Sequence, residues 1–138
     1  MQDLEKIKAA LIHQKIKAIY HTPKGEGDEL IPGLGNFYTF DTIIALENGK
    51  QYRLGDAFIV EWLGNVELIE ITHENWNIPH DKNFKGVSIK ELLIANNKSY
   101  YLLLENDVLI NHTSEMGDAL HFRSYNSVFN NSGELLAQ

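Results

Sequence analysis

The stretch from His73 to Gly86, HENWNIPHDKNFKG, gathers two of the chain's six histidines, Glu74 and Asp81 beside them, a tryptophan and a proline. Imidazoles and carboxylates this close together could bind a metal ion or exchange protons with a substrate. A zinc-protease helix sets its two histidines four residues apart, so that both rings reach one ion. His73 and His80 are seven apart, which on a helix separates them by roughly 10 Å along the axis. Pro79, with Asn75 and Asn77, disfavours a helix in any case. The expected role is a connecting segment pinned to a sheet by Trp76 and Ile78, with no metal and no cofactor.

The remaining chemistry-bearing residues point the same way. If VLINH pairs with ALHFRSY so that Ile110 opposes Phe122, His112 opposes Leu120 and His121 opposes Asn111. Alternate residues on a strand face opposite sides, so these two histidines could not share an ion. His13 and His21 stand alone in sequence and read as surface residues. The glycines at 25, 27, 33 and 35 complete no G-x-G-x-x-G, and no Gly-Lys-Ser/Thr follows them. Glu26, Asp28 and Glu29 would repel a phosphate, and the ordered acid spacing of a calcium loop is missing. No G-x-S-x-G turn is present, and without cysteine there is no thiol nucleophile, disulfide or thiolate metal site. Enzymatic activity is therefore not the expectation, although a pair of carboxylates far apart in sequence can still meet in space.

Charge carries more information. Net charge is −7 over 138 residues. Residues 1–24 hold five lysines against two acids, and the remainder holds seven bases against 17 acids. An acidic body argues against nucleic acid as a ligand, because phosphate contacts need clustered Lys and Arg. Between Arg53 and Lys82 there is no base at all, while Asp56, Glu61, Glu67, Glu70, Glu74 and Asp81 fall there with Trp62 and Trp76, the only tryptophans. A second base-free interval, between Lys98 and Arg123, holds Glu105, Asp107, Glu115 and Asp118. Acid rims speed encounter with a basic protein and aromatic anchors supply affinity. Glu61, Glu67, Glu70, Glu74 and Trp76 are accordingly the expected partner-binding residues, the four acids exposed on one continuous negative surface.

Positioning these residues falls to a mostly β chain. Residues 3–13 read as a short amphipathic helix capped by Asp3, with Leu4, Ile7 and Leu11 on one stripe. Residues 15–21 alternate enough for a strand, with a continued helix the competing reading, and 22–36, rich in glycine and proline, form a long loop. From residue 37 to 125 the texture is β. Asn48-Gly49 predicts a two-residue hairpin with both residues at positive φ. DAFIVEW and VELIEIT follow, joined by a tight turn at Gly64-Asn65, with Phe58, Val60 and Trp62 expected to face inward. VELIEIT has no purely polar face, which suits an edge strand that leaves an apolar residue exposed. VSIKELLIA, at 87–95, is ambiguous between strand and helical turn. SYYLLL and VLINH form a hairpin across Glu105-Asn106-Asp107, ALHFRSY supplies a last strand, and residues 126–138 are expected to fray.

A weak internal echo pairs IIALENGKQYRLGDAFIVEW with LLIANNKSYYLLLENDVLINH, and QKIKAIYH with GVSIKELLI, as two related three-strand halves would. The fold class is therefore α+β in one domain over 1–138: about seven strands of mostly antiparallel sheet with one short N-terminal helix. MQDLEKIK has no apolar core for a signal peptide and no run approaches the roughly 20 residues that span a bilayer, so a soluble cytoplasmic protein with no membrane partner is expected. Small, acidic, cysteine-free β-rich proteins include the immunity proteins that neutralise bacterial toxins, a likeness of type rather than of shared motifs. The leading expectation is a non-catalytic module capturing a basic protein. The alternative is a small-ligand-binding domain or carboxylate-based hydrolase with its site near the 22–36 loop.

Overall fold

A computed structural model describes residues 3–29, 31–95 and 98–130. The fold is α+β, with eleven mostly antiparallel strands in three sheets and two short helices. Seven strands have four or more residues, and these match the runs legible in the sequence. They are β1 (Ile16–His21), β4 (Thr42–Leu46), β5 (Gln51–Leu54), β8 (Ile89–Ile94), β9 (Tyr100–Leu104), β10 (Val108–Thr113) and β11 (Ala119–Ser124). The other four are only two or three residues long: β2 (Gly25–Glu26), β3 (Tyr38–Thr39), β6 (Ile59–Glu61) and β7 (Ile69–Glu70). The 87–95 ambiguity resolves to strand β8, and β2 pairs with β3 to fold the glycine-rich loop into a small flap.

Helix α1 (Leu4–Leu11) starts where Asp3 accepts a hydrogen bond from the Lys6 amide and stops before His13, which takes a φ of 72°. A single left-handed residue after the last turn is a common way to release a helix. Leu11 is buried and Leu4 and Ile7 pack against the core beside it.

Strand order is β6-β5-β4-β1-β7 in one main sheet and β11-β10-β9-β8 in the other. One core holds Ile16, Ile19, Ile44, Leu46, Leu54 and Ile59 of the first sheet against Ile89, Leu92, Leu102, Leu104, Val108 and Ile110 of the second. A smaller cluster of Tyr101, Leu103, Leu109, Val128 and Phe129 lies on the other face of the second sheet. Residues beyond 125 do not all fray: α2 (Tyr125–Val128) and Phe129 return onto this cluster, the phenyl ring edge-on to Tyr101. The rest of the stretch expected to fray, 131–138, lies outside the described residues.

The internal echo is structural: QKIKAIYH and GVSIKELLI fall on equivalent strands, β1 and β8, whereas the longer pairing is displaced by one strand. β1-β4-β5-β6 and β8-β9-β10-β11 are each a four-strand antiparallel meander. Ile16 pairs with Leu46 and Ile89 with Leu104, and both first strands are irregular one residue later. The hairpins at Leu46-Glu47-Asn48-Gly49 and Leu104-Glu105-Asn106-Asp107 share one hydrogen-bond pattern. In each, the fourth residue's amide donates to the leucine carbonyl at 3.0 Å and the asparagine Oδ1 accepts from the amide two residues on, that of Lys50 or Val108. The two meanders meet at Lys15 and Ser88 through bonds that exchange under a two-fold operation. Ile16 N–H donates to Val87 O as Ile89 N–H donates to Gln14 O, and Gly86 N–H to Ile16 O as His13 N–H to Ile89 O. Even the left-handed residues His13 and Gly86 are mates.

Three local features differ from expectation. Only Gly49, not Asn48, has positive φ. The connection is therefore a three-residue type I turn closed by a left-handed glycine bulge rather than a two-residue loop. In DAFIVEW the opposite face turns inward: Ile59 pairs with Leu54 in the core, and Val60 is exposed. Phe58, on the outward face with Val60, folds its ring over Gly55, where a Cβ would come within 2.3 Å, and under the Arg53 guanidinium. Trp62 folds over Gly64 in the same way. DAFIVEW and VELIEIT do not pair: β6 and β7 are opposite edges of their sheet.

Candidate functional site

Four rings from four elements converge at one end of the core. His21 closes β1, Phe40 precedes β4, His112 lies on β10, and Trp76 belongs to the segment after β7. Phe40 stands edge-on to His21, Trp76 and His112 at 5.4–5.9 Å, and Trp76 lies 4.9 Å from His21. The Lys24 ammonium stands 4.1 Å from the Trp76 ring centroid. A cation over an aromatic face is held by the ring quadrupole, so the flap is tied to the core here. His21, read as a surface residue from sequence, is buried, and its Nδ1–H donates to the Thr22 carbonyl. Burial, with the Lys24 charge adding to it, holds its pKa below the ordinary histidine value, against the opposing pull of the Thr22 carbonyl.

His112 holds two polar partners. Nε2–H donates to Asp118 Oδ1 at 2.8 Å, and the Thr42 hydroxyl lies 2.8 Å from Nδ1. A hydroxyl, an imidazole and a carboxylate in a row are the parts of a nucleophilic triad. Thr42, however, is 0% exposed, and a nucleophile that no substrate can reach does no chemistry. Asp118 Oδ2 also accepts the Phe40 amide, and its own amide donates to the Tyr38 carbonyl. The group is a polar tie joining β4, β10 and the β10–β11 turn. The register foreseen for β10 and β11 is present, with Ile110 opposite Phe122, Asn111 opposite His121 and His112 opposite Leu120. His121 is only partly buried; burial first, then Arg123 and His112, keeps its pKa low.

A cleft of about 280 Å³ opens under the 22–36 flap, lined by Thr22, Pro23, Gly25, Phe40, Asp41 and Asp118. Asp41 faces Arg53 at 3.9 Å in a partly exposed pair, its amide donates to the Thr22 hydroxyl, and both Asp118 oxygens are used.

The segment that opened the sequence reading is a compact turn. His73 Nδ1–H donates to Ile78 O at 3.0 Å and the His73 ring stacks on His80 at 4.9 Å. Ile78 is in the core and Trp76 packs against it. Asp81 is paired with Lys82, whose ammonium depresses its pKa. Among the described residues no group of three or more His, Cys, Asp or Glu side chains is placed to hold a metal ion. No helix among them is long and apolar enough to cross a membrane.

The proposed partner-binding residues are distributed along the base-free run. Glu61 ends β6, Glu67 lies in the β6–β7 connection, Glu70 ends β7, and Glu74 lies in the following turn. Glu61, Glu67 and Glu74 are exposed; Glu70 is half-exposed and faces Lys85 at 3.7 Å. The four were expected on one continuous negative surface; Glu61 and Glu70 stand on β6 and β7, opposite edges of the first sheet, and Trp76 packs in the aromatic cluster with His21 and Phe40. Sequence reasoning foresaw an exposed apolar residue on VELIEIT, which Val66 and Ile69 supply, but missed Leu63. Leu63 is 84% exposed and Val66 57%, both between Glu61 and Glu67 in sequence, and Val60, just before Glu61, is 41% exposed. The inverted face of β6 hid Val60. Compared with family models, with curated proteins and with solved structures, the chain matches none.

Proposed function

We propose that the chain is a non-catalytic binding module, of the immunity-protein type, that captures a basic protein in the cytoplasm, with neither nucleic acid nor membrane as its ligand. The observation that supports this reading is the exposure of Leu63, with Val60 and Val66, inside a run that contains no base and carries Glu61 and Glu67 on either side. Exposed aliphatics cost solvation free energy and are uncommon as a group on a surface with no partner. An apolar centre with a charged rim has the composition of a protein interface, and the sign of the rim selects a cation-rich partner.

The reading is tested by affinity capture with the wild-type chain and with Glu61→Lys/Glu67→Lys in parallel. The wild type retains a basic protein at one-to-one stoichiometry and releases it as salt approaches about 1 M, where the screening length falls to about 3 Å. The double variant retains little. Equal retention by both would remove the acidic rim from the mechanism. The alternative, a small-ligand site or carboxylate hydrolase at the 22–36 flap, draws support from the cleft holding Asp41 and Asp118. Both oxygens of Asp118 are already bonded within the protein, which leaves Asp41 as the cleft's one available carboxylate and favours protein capture.

A further inference from the structure

A second cleft, of about 270 Å³, lies on the β7 side of the first sheet, with Ala18, Ile71 and Phe84 as apolar lining and Glu70, His73 and Lys85 around it. We propose that this cleft takes one basic side chain, an arginine or a lysine, of the protein that the module captures; the proposal rests on the capture reading and names the residue chemistry that anchors it. Four observations carry it. The volume lies just below the range of small-molecule sites, about 300–1,000 Å³, and suits a side chain better than a cofactor. Part of the lining is apolar: Ala18, Ile71 and Phe84, which the rest of the fold largely buries, offer the surface that the methylene stem of a long basic residue covers. The carboxylate at its edge, Glu70, belongs to the run between Arg53 and Lys82 that contains no base. And the position facing that carboxylate already holds an ammonium, Lys85 Nζ at 3.7 Å, on a side chain 66% exposed.

Lys85 is thus an internal stand-in for the partner's charge. Exposed pairs of this kind are weakly held, so a partner residue that also covers the apolar lining displaces it. His73 is fixed by its bond to Ile78 O and its stack on His80, which keeps that wall of the cleft in place without the ligand.

The test uses N-acetyl-L-arginine amide as probe and the neutral N-acetyl-L-norleucine amide as control, read by amide chemical shifts of the full chain. The arginine probe gives saturable shifts confined to residues 70–73 and 83–85, and the norleucine probe gives weaker ones. Glu70→Gln abolishes the difference between the two probes. Lys85→Ala, by removing the internal competitor, tightens the arginine probe roughly two- to fivefold. Lys50→Ala, which removes a distant lysine and changes net charge equally, leaves it unchanged. Absence of saturable shifts, or an unaltered affinity in Lys85→Ala, would overturn the proposal. Because the probe reports on the cleft alone, shifts without a captured protein would count against the capture reading only. Capture with a silent cleft would count against this inference only.

Discussion

His21 and His121 carry the clearest physical consequence at the scale of single residues. Burial is the largest cause of a depressed pKa at both, reinforced by Lys24 at the first and by Arg123 and His112 at the second. In the unfolded chain each returns to about 6.5, so the unfolded state binds protons at a pH where the folded rings stay neutral. Their contribution to stability is therefore complete above about pH 6.5 and is withdrawn as pH falls from there through the folded values. Thermal denaturation should show a lower midpoint at about pH 5.5 than at about pH 7.5. In His21→Gln/His121→Gln that difference should shrink, whatever the absolute midpoint; an unchanged difference would place the titrating groups elsewhere.

At the scale of elements, the two Leu-Glu-Asn hairpins make the sharpest comparison. Gly49 and Asp107 occupy equivalent left-handed positions, with φ of 91° and 65°. A β-branched side chain pays heavily there, whereas aspartate is among the few residues that tolerate it. Gly49→Val should lower unfolding free energy by about 1 kcal/mol or more, and Asp107→Gly should not lower it. A urea titration of both variants decides this, and an unaffected Gly49→Val would contradict the turn assignment. Sequence made most elements legible because alternation, caps and turn residues act locally: β1, β4, β5, β9, β10 and β11 fall on the runs expected of them. What it could not supply depended on residues distant in the chain. The outward turn of Phe58 is accommodated where Gly55 and Arg53 receive its ring, and Val60, on the same face, is exposed. His112, correctly placed in register, gave no sign of Thr42, 70 residues earlier. Of the candidate site, the acids were readable as composition, but the exposed Leu63 between them was not.

Viewed whole, the molecule is two equivalent meanders joined across Lys15 and Ser88, with the additions unequal: the flap, the β6–β7 connection and the 73–86 turn all belong to the first half or to the link between halves. Every candidate for function among the described residues draws on these additions, and the repeated strands supply the frame. The equivalence predicts that Leu46→Ala and Leu104→Ala, both at fully buried positions paired with equivalent isoleucines, each cost about 2–5 kcal/mol and lie within about 1 kcal/mol of one another. Chemical denaturation measures both, and widely different costs would mean that the shared hydrogen-bond pattern does not extend to packing.

The docking surface proposed for a basic protein, the acids and exposed aliphatics around Leu63, is tested most directly by kinetics. With the captured partner immobilised, association and dissociation rates are measured for the wild type, Glu61→Lys/Glu67→Lys and Leu63→Ser at low and high salt. Rim charges steer encounter and central apolar contacts hold the complex. Charge reversal should therefore slow association about tenfold at low salt, with the gap closing at high salt, while Leu63→Ser should mainly speed dissociation. Rates unchanged in all the variants would contradict the account and leave this surface without a role in binding.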